Sequence, residues 1–238
     1  MDRQHRHDLK HDKFVDEIGV LSSKAQQNQR LLLSIGVGAI ALAAIIYGWF
    51  YYRGNKEKNA QDLLSLAIET IESPVGEPPA GQPAPTGPTF KTAAEQSVAA
   101  EKQFREVTTK YPGTDAADVA GLYLARLSVA KGDVATGKKM LAEFIDEHPR
   151  NVLVGTARYS LYQLRIENGE APQVTNELTA ELAKADPALP GDSILVLLAQ
   201  AYEVQGNAAK TRETYRRLAT EFPDSPYTLE AQRRLGQA

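Results

Sequence analysis

The stretch SILVLLAQAYEVQGNAAKTRETYRRLATEFPDSP, residues 193–226, decides the fold. Leu195, Leu198, Ala199 and Tyr202 recur at i, i+3, i+4 and i+7, which is one face of a helix. Gly206 follows, where the chain can turn tightly because a left-handed backbone is cheap only for glycine. Tyr215 belongs to a second helical run. Pro223 stops that run, since proline cannot continue the helical hydrogen-bond ladder. The segment therefore reads as a helix, a turn, a second helix and a stop.

The same punctuation recurs upstream. KYPGTD at 110, EHPRNV at 147, ADPALP at 185 and EFPDSP at 221 place Pro112, Pro149, Pro187 and Pro223 at separations of 37, 38 and 36 residues. KGD at 131, NGE at 168 and QGN at 205 place Gly132, Gly169 and Gly206 at separations of 37 and 37. Two independent marks with one period predict an all-α solenoid of helix pairs, each with an apolar face that only a neighbour can bury. The repeats resemble the tetratricopeptide repeat. The last unit carries Leu195, Leu198, Ala199, Tyr202, Gly206, Tyr215 and Pro223, with Thr211 in place of the usual small alanine. The first complete unit keeps Leu124, Ala125, Gly132, Gly137, Leu141 and Pro149. The middle unit keeps Leu161, Gly169 and Leu178, and its Pro187 falls one residue late. Residues 91–110 read as the lone second helix of a partial unit, and residues 225–237 as a capping helix. The repeat domain is thus expected over 90–238, with about three helix pairs plus partial and capping helices.

Upstream lies LLLSIGVGAIALAAIIYGWFYY, residues 31–52, which holds no charged residue. As a helix it is about 33 Å long, enough to cross a bilayer. Arg30 and Arg53 bracket it, and Tyr47, Trp49, Tyr51 and Tyr52 crowd one end, where aromatic rings suit the lipid boundary. A cleaved signal peptide is disfavoured, because 30 polar residues precede the run and its apolar core is long. Six basic residues before the span against three close behind it favour a cytoplasmic N-terminus. Ser34 and Gly38, and Ala44 and Gly48, are small residues four apart, a spacing that lets membrane helices approach closely.

The remaining segments follow from composition. Residues 1–30 form a mixed-charge leader in which Phe14, Ile18 and Leu21 suit a short amphipathic helix. Residues 53–72 extend the span as a helical stalk, with an apolar stripe of Leu63, Leu64, Ala67, Ile68 and Ile71. Residues 73–89 hold six of the chain's 13 prolines and three glycines. They read as an extended linker that forms neither helix nor sheet.

Chemistry is sparse. The 238 residues include no cysteine, which excludes disulfides, thiolate metal sites, a cysteine nucleophile and a lipoprotein anchor. A net charge of −3 gives no electrostatic reason to expect nucleic acid. There is no Gly-rich phosphate loop and no His-Glu-x-x-His. His5, His7 and His11 lie in the polar leader and suggest metal only faintly. His148, before Pro149, reads as a helix-end residue, and the adjacent Asp146 and Glu147 do not face one site. Ser22, Ser23 and Lys24 have nucleophile types but no pocket. The expectation is a non-enzyme with no cofactor, no metal and no small-molecule substrate.

A solenoid of this kind presents a concave surface lined by the first helix of each pair. Registering the units on their glycines predicts a lining of Leu122 and Arg126, Tyr159 and Gln163, and Val196 and Gln200. Lysine and asparagine side chains that could clamp a terminal carboxylate are absent from these positions. Extended apolar peptides remain possible ligands.

Taken together, Lys13-Phe14-Val15-Asp16-Glu17-Ile18 before the span, the span itself and the repeats resemble the YfgM-type ancillary subunits of the Sec translocon. These are a bacterial inner-membrane tetratricopeptide family. The resemblance implies a single-pass protein with its C-terminal domain in the periplasm, placed beside SecYEG and linking it to periplasmic chaperones or emerging secreted chains. The alternative is an envelope-assembly or cell-wall coordination scaffold, whose repeats carry similar punctuation to Phe222-Pro223-Asp224-Ser225-Pro226-Tyr227.

Overall fold

The structure, a computed structural model, describes residues 29–76 and 87–236. Among the described residues it is all-helical. The helices are α1 Gln29–Glu72, α2 Ala93–Lys110, α3 Asp115–Ala130, α4 Val134–Glu147, α5 Val154–Arg165, α6 Ala171–Leu182, α7 Gly191–Val204, α8 Ala208–Glu221 and α9 Thr228–Gly236. The leader's candidate helix at Phe14, Ile18 and Leu21, its histidines, Ser22 to Lys24 and the Lys13–Ile18 motif lie outside the described residues. The chain divides into two units, Met1–Lys56 and Glu57–Ala238, and the division falls within α1.

In the first unit α1 is long and apolar enough to cross a membrane, and none of its apolar window is buried within the protein. Leu33, Ile40, Ile45 and Trp49 are all exposed. A core helix of a soluble protein would bury such side chains, at a gain of about 0.8 kcal/mol per CH₂. Gly38 and Gly48 face open space. The Ser34 hydroxyl donates to the Leu31 carbonyl at 2.8 Å, so it leaves no unpaired donor on this surface. The Arg53 guanidinium lies 5.4 Å from the centre of the Trp49 ring.

The second unit begins with a departure from the expected layout. Ala60, Leu64 and Ala67 of α1 are buried in one cluster with Phe104 and Val107 of α2 and Ala120 and Leu124 of α3. The end of α1 is therefore the first helix of a hairpin, and α2 is its second helix. The apolar stripe read as a stalk is the reason: a helix with such a face must cover it. Phe104 stacks on Tyr123 of α3 with ring centroids 4.7 Å apart. The Glu57 carboxylate accepts from the N–H groups of Asp115 at 2.9 Å and Ala116 at 3.1 Å. These are N–H groups that a helix start leaves without intrahelical partners.

The Pro-rich segment, which forms no strand, is tied at both ends instead of running as an extended linker. Gly76 N–H donates to the Phe90 carbonyl at 2.8 Å, Phe90 N–H donates to Pro74 O at 3.5 Å, and Val75 pairs with Phe90 in an isolated bridge. The Gln96 side chain donates to Ser73 O at 2.6 Å. The two ends of 73–89 are pinned together, so the segment closes a loop between the helices of one hairpin. Its middle, residues 77–86, lies outside the described residues.

The later hairpins turn on the periodic glycines. Gly132, Gly169 and Gly206 have φ of +88°, +87° and +72°. At the outer two, Asp133 N–H reaches Ser128 O and Asn207 N–H reaches Tyr202 O, each at 2.9 Å. The same Asp133 and Asn207 side chains then accept from Thr136 N–H and Lys210 N–H, capping α4 and α8. Three residues thus end one helix and start the next. The middle turn, Asn168-Gly169-Glu170, works differently. The Asn168 amide donates to Leu164 O at 2.6 Å. Glu170 caps nothing and pairs instead with Arg165 at 2.7 Å and with Lys138 of the preceding hairpin. Gly137 has a separate role, since a Cβ there would overlap the Val129 side chain and stand 3.0 Å from Ala125 O, where α4 meets α3.

Pro149, Pro187 and Pro223 each follow the end of a second helix. His148 is the C-cap residue of α4 and stacks on Phe144 at 5.0 Å. Its Nε2 lies 3.9 Å from the Asp118 carboxylate, whose pKa is raised chiefly by burial. Helix α7 is buried on nearly every side: Ile194 through Ala199 and Ala201 all belong to the core. Leu198 and Tyr215 are buried, while Tyr202 is half-buried under the Lys210 ammonium, 5.4 Å from its ring centre.

Two outcomes are expected. Nothing lies within 4 Å of a Cβ at Gly206, so Gly206→Val carries only the backbone cost of a left-handed residue. It should lower the free energy of unfolding by about 1–2 kcal/mol, read from the chemical denaturation midpoint; an unchanged midpoint refutes the assigned turn. Replacing residues 77–86 by a Gly-Ser loop of about half that length should retain the fold. It should raise stability by roughly 0.6 kcal/mol through reduced closure entropy, and loss of cooperative melting would show that the segment is part of the core.

Candidate functional site

A cavity of about 580 Å³ lies between α3 and α5 with Leu141 of α4 among its lining. Its volume falls within the roughly 300–1,000 Å³ of typical ligand pockets. From α3 come Val119, Leu122, Arg126 and Val129, spaced i, i+3, i+7 and i+10 on one helix face. From α5 and its flanks come Leu153, Thr156, Ser160, Gln163 and Glu167, spaced the same way. The 37-residue period sets Val119 beside Thr156, Tyr123 beside Ser160 and Arg126 beside Gln163.

The two walls differ in chemistry. The α3 wall is apolar apart from Arg126 and the Tyr123 hydroxyl. The α5 wall sets the hydroxyls of Thr156 and Ser160, the Gln163 amide and the Glu167 carboxylate beside Leu153 and Leu164. Helical hydroxyls elsewhere fold back on their own helix, as Ser128 does to Leu124 O and Thr175 to Ala171 O. Thr156 and Ser160 make no such bond. Arg126 and Glu167 have no ion-pair partner among the described residues, in a solenoid where Arg165, Lys138 and Arg234 are all paired.

Of the six side chains expected to line a groove, Leu122, Arg126 and Gln163 line this cavity. The other three are placed differently. Val196 is 2% exposed and lies in the core, so it is withdrawn from any groove. Tyr159 is half-buried and stacks on Tyr227 with centroids 6.2 Å apart and planes 9° from parallel. Burial, then the neighbouring Tyr227, push its pKa up to about 12. Tyr227 leads into the capping helix and its ring covers Tyr159 of α5, whereas the space between α3 and α5 holds the cavity. Registering on glycines alone missed Thr156, Ser160 and Glu167. Steps of four, three and four residues along one α5 face, through Gln163, would have found them.

A smaller cavity of about 360 Å³ lies at the C-terminal end, lined by Glu203, Gly206, Tyr215 and Arg234 among others. Its charges are already paired: Arg234 binds Glu203 at 2.7 Å and Glu230 at 2.8 Å. No group of three or more His, Asp or Glu side chains among the described residues is arranged to hold a metal ion.

A family model described as a tetratricopeptide repeat-like domain matches residues 27–225. That range takes in the apolar segment, the first hairpin and the repeats through Pro223. No curated protein matches the chain.

The covered Tyr159 has a pH signature. Tyr159 ionises at about 12 in the folded chain, against about 10 unfolded. A raised pKa means the stabilisation is complete below pH 10 and is lost as pH rises toward 12. The melting temperature should therefore fall across that window, and Tyr159→Phe should fall less. Equal slopes for the two proteins would place the buried titration elsewhere.

Proposed function

This chain belongs to the tetratricopeptide repeat-like domain family, and from that premise we propose that it is a membrane-anchored, non-catalytic scaffold that binds other proteins. The observation that carries the reading is the α3–α5 groove, where polar groups stand unpartnered on an otherwise well-packed repeat stack. In this reading the 31–52 segment is a single-pass anchor in a bacterial inner membrane, with residues 1–30 cytoplasmic and the repeats periplasmic. Exposure of the whole apolar window supports the anchor, as does a family match that extends through it. The basic excess in the leader supports the orientation.

The finer reading is an ancillary subunit of the Sec translocon, beside SecYEG and in contact with periplasmic chaperones or emerging secreted chains. The sequence resemblance and an open groove suited to chain segments support it. The groove lining, Leu122, Arg126 and Gln163, would hold the partner. Small residues of the span, Ser34, Gly38, Ala44 and Gly48, would pack against membrane helices. The 90–238 repeats together with 57–72 form the binding body, and 73–89 a loop upon it.

Photo-crosslinking in living cells from position 126 tests this. Capture of translocon subunits, periplasmic chaperones or secreted chains, above a control probe at exposed Gln173 on α6, is the expected result. Capture of outer-membrane assembly or cell-wall proteins instead would favour an envelope scaffold. Equal capture from both positions would remove the groove as a binding site. Protease added to spheroplasts should digest the repeats and spare the leader, and the reverse pattern would invert the topology.

A further inference from the structure

We infer that the repeat stack is jointed inside its third hairpin, so that the body from Glu57 to α5 and the body from α6 to α9 swing against each other about the Asn168-Gly169-Glu170 turn, with the Tyr159–Tyr227 ring contact as the clasp that holds the joint closed. The inference goes beyond partner binding and does not depend on it. The core divides at this hairpin. Val154, Ala157 and Leu164 of α5 are buried with Ala125 of α3 and with Leu141 and Ile145 of α4. Ala171, Val174 and Leu178 of α6 are buried in a separate cluster with α7 and α8. Among the described residues no apolar side chain packs into both, whereas Met140 joins the α3–α5 cluster to the one before it. Helix α5 meets the later cluster through the rings of Tyr159 and Tyr162. It meets α6 through Arg165, which donates twice to Glu177 at 2.7 Å. The Glu177 side chain is 44% exposed, so water and salt weaken that pair. An interdigitated aliphatic seam resists sliding because each shift forfeits close contacts. Two partly buried rings and a wetted ion pair offer less resistance.

A polar latch recurs at the proline end of the repeats, and this hairpin lacks it. The Asn151 amide donates to the Asp118 carboxylate at 2.5 Å, and two periods later the Ser225 hydroxyl donates to the Asp192 carboxylate at 2.7 Å. Each bond ties the start of a first helix to the connection leading out of its own hairpin. The positions one period after Asp118 and Asn151 are Gly155 and Ala188, which have no polar side chain to offer. The start of α5 is therefore not latched to the α6–α7 connection.

The helix starts agree. Thr92, Thr114, Asp133 and Asn207 each accept a backbone N–H and cap α2, α3, α4 and α8. Helices α5, α6 and α7 start with no side-chain cap. Uncapped starts open at lower cost, and a hinge needs only a few such residues to absorb the change in dihedral angles. Swinging about the turn parts Tyr159 from Tyr227 and widens the space between α5 and α7. The α3–α5 cavity lies wholly before the turn and keeps its shape.

The test uses the full chain in nanodiscs. The chain has no cysteine, so introduced cysteines carry spin labels at chosen sites only. Lys102, Lys139, Asn176 and Glu213 are exposed and stand one 37-residue period apart, on α2, α4, α6 and α8. Each neighbouring pair is replaced by cysteine in turn, and the distance distribution between the labels is read by dipolar electron spin resonance. The pair at 139 and 176 spans the joint, and its distribution should be about twice as wide as those of the pairs at 102 and 139 and at 176 and 213. Gly155→Asp combined with Ala188→Asn should supply the latch and narrow the spanning pair to the width of its neighbours. Tyr227→Ala should widen the spanning pair, and Tyr227→Phe, which keeps the ring, should not. The pair at 102 and 139 should stay unchanged in every variant, which separates opening of the joint from loss of the fold. Equal widths for the three pairs, all narrow or all wide, would overturn the joint. A spanning pair unmoved by the latch variant would place the flexing elsewhere, and one unmoved by Tyr227→Ala would overturn the clasp.

Discussion

A hairpin of two amphipathic helices can bury one apolar face between its own helices, but each helix carries a second that only a neighbouring hairpin can cover. Everything in the repeat unit follows from meeting that requirement at each step. The chain must turn tightly within a hairpin, stop cleanly after it and deliver the next one at the same height. Left-handed glycines supply the turn, the residues beside two of them supply the next helix cap, and prolines supply the stop. At the middle turn, Asn168-Gly169-Glu170, the local cap is missing and a network through Glu170, Arg165 and Lys138 joins the hairpins instead.

The ends of the stack show the same requirement. At the start, the last turns of α1 cover the exposed face of α2, and Glu57 fastens that helix to the beginning of α3. At the finish, α9 covers α7 and α8, and Tyr227 extends over to Tyr159. Together with α6 and α8 this cover buries most of α7. The space between α3 and α5 holds the cavity, whose walls differ in polarity.

Much of this was legible in the residues. The glycine and proline spacing identified an all-helical stack, and the uncharged 31–52 run marked the one apolar segment that the stack does not bury. Three residues of the cavity lining were legible as well, because Leu122, Arg126 and Gln163 follow from register alone. The stalk and the extended linker were not. The stripe of Leu64 and Ala67 announces that a helix must pack, without naming its partner. A run of six prolines excludes regular structure and says nothing about whether its ends meet. Val196 illustrates the limit for a single residue: its helical position matches those of Leu122 and Tyr159, yet it lies in the core.

By itself the sequence determined the period, the turns, the stops and the charge-free segment. These depend on backbone freedom and hydropathy within a few residues, and such local preferences are written directly in residue types. Tertiary structure alone decided that α1 opens the repeat stack, that the Pro-rich segment is a closed loop, and that Tyr227 covers Tyr159. Each of those depends on which surfaces meet across tens of residues. An apolar face states only that it must be covered, and the identity of the cover is fixed by the geometry of the whole stack.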